Sequence, residues 1–167
     1  MNPVWITLML AASAAAQATA PPGDSFENLV DRARQAREAA RDDEAISLYS
    51  RALKLKPGWA DGWWALGGLQ YHRDRYPECR DALAELTRLD PEAAAGWALR
   101  GLCEFRTRQY DLARDHLKRA HTLTTGGGEL RKIADYHLAL LLIREGAFEL
   151  SFELLVKVAR MAKNDPE

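Results

Sequence analysis

The 167 residues carry 23 Lys and Arg against 24 Asp and Glu, a formal net charge of -1, so there is no net field to attract nucleic acid or an anionic membrane. Hydrophobic residues make up 47% of the chain, enough for the core of one domain, and the two cysteines exclude a disulfide-dense scaffold. Alanine and leucine dominate while β-branched residues are few, a composition that favours helix.

Residues 1–20 differ from the rest. They hold no charged side chain; Val4 to Leu10 is strongly apolar, an alanine-rich run follows, and Ala16-Gln17-Ala18 and Ala18-Thr19-Ala20 are small-x-small sites. This is the layout of a secretory signal peptide, 1–18 or to Ala20. Cleavage after Ala18 is the better reading, because a cut after Ala20 places Pro21 directly beyond it, where a fixed φ and a missing N–H suit an extended protease site poorly. Only the N-terminal amine supplies positive charge ahead of the apolar run; the bland alternative is an N-terminal arm at an interface or without fixed structure. The run is shorter than the roughly 20 residues of a spanning helix. No cysteine lies near the cleavage site to carry a lipid. The expectation is export with no stable membrane anchor, and the Ala- and Arg-rich composition points to a bacterial periplasm. Residues 19–25, with Pro21-Pro22-Gly23, read as a linker.

From residue 26 onward the pattern is helical almost throughout, with no alternating strand pattern and no hairpin signal of weight. Asp24 or Ser25 can cap the first helix, with Glu27 completing a capping box. The first unit, 26–59, has a weak first helix with the apolar stripe Phe26, Leu29, Val30, Ala33 and Ala36. Its second helix, near 44–55, carries Ala45, Ile46, Tyr49, Ala52 and Leu53 and is stopped by Lys56-Pro57-Gly58. The second unit, 60–93, predicts helices near 61–73 and 77–89; the third, 94–127, predicts them near 94–107 and 110–123. Between these two units the pattern repeats at 34 residues: Trp63 returns as Trp97, Gly67 as Gly101 and Tyr76 as Tyr110, while Cys79, Leu83, Leu86 and Pro91 step back to Ala45, Tyr49, Ala52 and Pro57. A fixed period of this size marks a solenoid of stacked helix pairs. Thr124-Thr125-Gly126-Gly127-Gly128 shifts the register by about four residues; without a Gly-Lys-Ser/Thr it is a linker and not a phosphate loop. A fourth unit, 132–165, has Ala139 in the place of Gly67 and Gly101, a turn at Gly146-Ala147, and Phe148 in the place of Tyr76 and Tyr110.

No catalytic or metal constellation emerges. His116 and His121 do not share a helix face, and no Cys or carboxylate completes a ligand set around them, so these two, like His72 and His137, read as structural or solvated. The carboxylates read as a solvated face near Arg and Lys. The expectation is a protein that is not an enzyme and uses no cofactor. Cys79 and Cys103 fall at buried helix positions on adjacent elements. They can form a disulfide if their Cα atoms come within about 7 Å, or stand as two separate apolar thiols.

These residues resemble the tetratricopeptide repeat over about 26–165: Trp97, Gly101, Tyr110, Ala113, Leu117 and Ala120 in the third unit, and Trp63, Leu66, Gly67, Tyr76, Leu83 and Pro91 in the second. The first unit matches only in its second helix, and the fourth lacks the tryptophan and the proline. The resemblance implies an all-α, right-handed solenoid of about four antiparallel helix pairs. It also implies a concave groove, lined by the first helix of each pair, that holds a peptide or helix of a partner. By phase with the repeat, that groove takes Arg34 and Arg37 from the first unit and Trp64, Tyr71 and His72 from the second. The third contributes Leu102, Phe105 and Arg106, and the fourth Tyr136, Leu140 and Arg144. This is an apolar and aromatic floor with an arginine rim, of the residue types enriched in binding hot spots. Family members that grip a C-terminal carboxylate use Lys and Asn at the groove centre. Here Trp64, Gly68, Ala98 and Leu102 stand in those places, so that activity is not implied. The expected role is an exported adaptor or scaffold with a protein or peptide partner.

The last helix is more apolar than one buried face requires. Phe148, Phe152, Leu154 and Val156 are expected to form an assembly face covered by a second copy, giving a homodimer, or by another protein. The alternative role is therefore assembly of an envelope complex through this helix, with the groove idle.

Overall fold

The computed structural model describes residues 25–124 and 128–163. The signal-peptide and linker readings, the centre of the glycine loop and the last residues of the fourth unit lie outside the described residues. Among those described there are eight helices and no strand: α1 (Phe26–Glu38), α2 (Asp42–Leu55), α3 (Ala60–His72), α4 (Tyr76–Leu89), α5 (Ala94–Arg106), α6 (Tyr110–Leu123), α7 (Glu129–Arg144) and α8 (Phe148–Lys163). They pair in sequence as α1/α2, α3/α4, α5/α6 and α7/α8, each pair stacking on the next. The expected boundaries are met within a few residues; α7 starts at Glu129, earlier than expected.

The 34-residue period is written into the backbone. Ala40, Asp74, Arg108 and Gly146 each adopt positive φ (53°, 55°, 62° and 80°) at the turn between the two helices of their units. At each turn the next amide reaches back over the helix end: Arg41 N to Ala36 O, Arg75 N to Gln70 O, Gln109 N to Glu104 O and Ala147 N to Leu142 O. This is the left-handed helix stop that satisfies orphan carbonyls. Ser25 caps α1, its Oγ accepting from Asn28 N at 3.2 Å.

Within a pair the helices approach through a small residue. A Cβ added at Gly67 would lie 2.7 Å from Leu83 Cγ, and one at Gly101 would lie 2.7 Å from Leu117 Cγ. Ala45, Cys79, Ala113 and Ser151 are the buried counterparts on the second helices. Trp63 and Trp97 lie in the joints between pairs, and their Nε1–H groups donate to Pro57 O (2.8 Å) and Pro91 O (2.9 Å). The core forms two clusters. One centres on α1 and α2 and takes in Leu66, Leu69 and Ala82; the other runs from Cys79 to Leu154; Trp63 packs against both. Cys79 on α4 and Cys103 on α5 are joined in a disulfide, Cα to Cα 6.4 Å, which staples the second unit to the third.

The fourth unit solves its missing tryptophan differently. Asp135 stands at the position of Trp63 and Trp97, almost fully buried. It accepts from Arg131 Nε at 2.5 Å and faces His121 Nδ1 at 2.8 Å, while Arg131 Nη1 donates to Thr124 O at 2.7 Å. A second buried carboxylate, Glu104, lies 3.3 Å from Arg100 Nε and 2.6 Å from His116 Nδ1. The reading of the carboxylates as a solvated face is thus corrected at Glu104 and Asp135. Both are withdrawn from water because a cation and a histidine from neighbouring turns and helices satisfy them.

Candidate functional site

From the second unit onward the first helices of successive units touch one another, α3 with α5 and α5 with α7, whereas α2, α4, α6 and α8 do not. The stack therefore curves with α1, α3, α5 and α7 on its inner side, where the resemblance places a groove.

Along this inner side one three-residue arrangement occurs twice. Tyr71 of α3 meets Tyr76 edge-to-face at 5.6 Å, and the Arg106 guanidinium of the next unit lies 4.6 Å over the Tyr76 ring. Phe105 of α5 meets Tyr110 edge-to-face at 5.6 Å, and Arg144 lies 4.2 Å over the Tyr110 ring. The geometry has a sequence cause. Tyr71 and Phe105 end one helix, Tyr76 and Tyr110 begin the next, and the helix stop between them folds the two rings together. The arginine comes from the last turn of the following first helix. A guanidinium stacked on an aromatic face keeps its N–H edge free for a carboxylate. Arg106 remains half exposed, 3.9 Å from Asp74.

At the N-terminal end, Arg37, Trp64 and His72 line a recess of about 360 Å³ together with Asp42 and Gly68. Arg34, one turn before Arg37, is exposed and 3.7 Å from Asp31 on its own helix. At the other end Tyr136 is exposed and stands edge-on to His137 at 5.6 Å. Leu140 is partly buried beside it. Leu102 is corrected: only 2% exposed, it belongs to the core, because α7 packs against α5 along that strip. Leu154 is likewise corrected. It is buried against its own stack, so the large apolar side chains that α8 exposes are Phe148, Phe152 and their neighbour Leu150, with Val156 only partly exposed.

Three inner-side residues escaped the sequence reading of the groove. Tyr76 and Tyr110 read there only as repeat signature, and the signal for their role is the arginine that follows each. His137 read as solvated or structural. It lies 4.8 Å from Phe105 and links that ring to Tyr136, with its Nδ1 2.8 Å from Ile133 O. The hydroxyl of Tyr76 donates to the Asp74 carboxylate. That bond, helped by partial burial, raises the Tyr76 pKa above its ordinary value. Among the described residues there is no cluster of three metal-ligating side chains and no helix long and apolar enough to cross a membrane.

A comparison with curated proteins finds no match. Among solved structures, MamA residues 41 to the end from Desulfovibrio magneticus RS-1 is similar at 17% identity, covering 86% of this chain and 79% of that one, TM-score 0.73. YrrB, described as a TPR protein with an unusual peptide-binding site, is similar at 18% identity over 84% of this chain and 70% of that one, TM-score 0.71. The first TPR of Spaghetti (RPAP3), bound to the HSP90 peptide SRMEEVD, is similar at 14% identity over 72% of this chain and 93% of that one, TM-score 0.63. Residues 30–103 match the family described as tetratricopeptide repeat. With the 34-residue period, the repeated helix stops and the stacked pairs all in place, the chain has the tetratricopeptide repeat fold, and its residues 30–103 match that family.

Proposed function

We propose that this protein is an exported, non-catalytic adaptor that holds an extended acidic segment of a partner protein along its inner face. The observation that carries the reading is the pair of stacks, Tyr71–Tyr76–Arg106 and Phe105–Tyr110–Arg144. They set two guanidinium edges one repeat apart beside aromatic surface. Arg37 and His72, lining the recess beside Trp64, extend the same character toward the N-terminus. Stacking fixes the arginines before any partner arrives, which lowers the ordering cost of binding. A structural neighbour of the same fold binds a peptide rich in Glu, SRMEEVD, which supports an acidic ligand class. Export is supported by the charge-free leader at residues 1–20 and by the Cys79–Cys103 disulfide, a bond that persists in oxidising compartments.

The test is fluorescence anisotropy with a labelled peptide alternating Glu and Leu, beside its Lys-and-Leu counterpart. The acidic peptide should bind, and affinity should fall with salt. Arg106→Glu with Arg144→Glu should weaken it at least tenfold while the circular dichroism stays helical. These exposed arginines are better targets than Tyr71 and Phe105, which also pack on the core. Equal binding of both peptides, or no effect of the two reversals, overturns the reading.

A further inference from the structure

We propose that α8 is a self-association helix that pairs with α8 of a second copy, antiparallel and about a twofold axis. The argument starts from repeat phase. In the first three units, one face of the second helix is covered by the unit that follows. Tyr76 and Tyr110 lie beneath Arg106 and Arg144. One turn on, Arg80 Nη1 donates to Gln109 Oε1 at 3.3 Å, and Arg114 Nη1 pairs with Glu145 Oε1 at 2.5 Å. In α8 the same two positions hold Phe148 and Phe152, 65% and 69% exposed. The second of these matters most: the second and third units place an arginine there and the first places Ile46, buried at 8%, whereas this helix leaves a phenylalanine exposed. A helix face meant for water keeps its polar residue at such a site; this one carries adjacent aromatics at i and i+4.

The occupant follows from shape and charge. Head-to-tail stacking would set α1 of another copy on α8, but every exposed side chain of α1 is polar or charged, Asp31, Arg32, Gln35 and Glu38 among them. Burying those against phenylalanine leaves them without partners. α8 itself is apolar and carries a charge gradient: Glu149 and Glu153 lie in its first half, and Lys157, Arg160 and Lys163 in its second, all exposed. A parallel pair sets like charges together. An antiparallel pair centred near Val156 brings Phe152 of the two copies into one seam. It also sets Glu149 and Glu153 against the Lys163 and Arg160 region of the other copy, twice over, as an isologous contact requires. Two helices about 24 Å long make a contact at the small end of stable interfaces, so the dimer should depend on concentration. The inference does not rest on the groove, which lies on other helices.

The experiment is size-exclusion chromatography with static light scattering on the whole chain, at tens of micromolar. The expected mass is that of two chains. Phe152→Glu, at an exposed site, should give one chain with unchanged helical circular dichroism. The decisive arm uses two charge variants, Glu149→Lys/Glu153→Lys and Arg160→Glu/Lys163→Glu. Each alone should dissociate at least tenfold more readily, and their equimolar mixture should recover the dimer. A monomeric wild type overturns the proposal, as do assemblies larger than two, a dimer indifferent to Phe152→Glu, or a mixture that fails to recover.

Discussion

Asp135 shows how one residue can replace a tryptophan in a stack. Trp97 fills its joint with an indole and tethers it through Pro91 O; Asp135 fills the corresponding joint with an ion pair to Arg131 and a contact to His121. The guanidinium of Arg131 is nearly as buried as the carboxylate, so the two stand or fall together. Asp135→Ala leaves that cation without its carboxylate, and the expected loss is about 3–5 kcal/mol. Urea unfolding of the variant checks it, with His121→Ala expected to cost less because it strands no full charge. Tyr76 carries a second residue-scale prediction. Its hydroxyl proton is held by the Asp74 carboxylate, so its folded pKa is raised. The sign is that of an acid kept protonated: the contribution is complete below the unfolded value of about 10 and is lost as pH rises through the folded one. In an ultraviolet difference titration, Asp74→Ala should move one tyrosine of the five to lower pH.

The helix-to-helix turn is the unit that the sequence repeats most faithfully, and it carries a conflict. Three of the four left-handed positions, Ala40, Asp74 and Arg108, hold residues with a Cβ, and only Gly146 has the residue suited to that backbone. Ala40→Gly and Arg108→Gly should each stabilise the chain by about 1 kcal/mol, read as a higher urea midpoint. Gly101→Ala should do the opposite despite alanine's better helix propensity, because its Cβ would meet Leu117 and Ala113 O. Ala139 is accommodated at the equivalent position, so the clash belongs to the local approach of α5 and α6 and not to the repeat as such.

That distinction also marks what the sequence could convey. Pairs, turns and order were legible because each is set within one unit and recurs at fixed spacing in Trp63 and Trp97, Gly67 and Gly101, Tyr76 and Tyr110. Phase alone could not separate Leu102 from Phe105, three residues apart on one helix. The packing of α7 against α5 submerges the first and leaves the second half-buried, with one side on the core and the other on the inner face. Glu104 was illegible for a related reason: its partner His116 is on another helix, and a glutamate without a visible partner reads as solvated. Leu154 reads as surface because a helix apolar nearly all round does not reveal which of its faces the stack has already used.

At the scale of the molecule, each unit touches only its neighbours, so stability is close to a sum of units and joints. The joints are not alike. The core divides near the second unit, where Trp63 bridges two clusters, and the next joint is crossed by the Cys79–Cys103 bond. That bond closes a loop with a sequence separation of 24, and constraining the unfolded chain by that much amounts to about 3 kcal/mol. Reduction, or Cys79→Ala with Cys103→Ala, removes the tether and leaves the joint to packing alone. The expected result is a lower urea midpoint. The transition should also broaden, because the α1–α4 half can then open without taking α5–α8 with it. Hydrogen exchange separates the two effects. In the oxidised chain the amides of α4 and α5 should share one opening free energy; in the reduced chain those of α4 should exchange sooner. If both forms unfold at the same urea concentration with equal steepness, the stapled joint adds nothing, and cohesion there rests on Leu83, Leu86, Leu99 and the Trp97 ring.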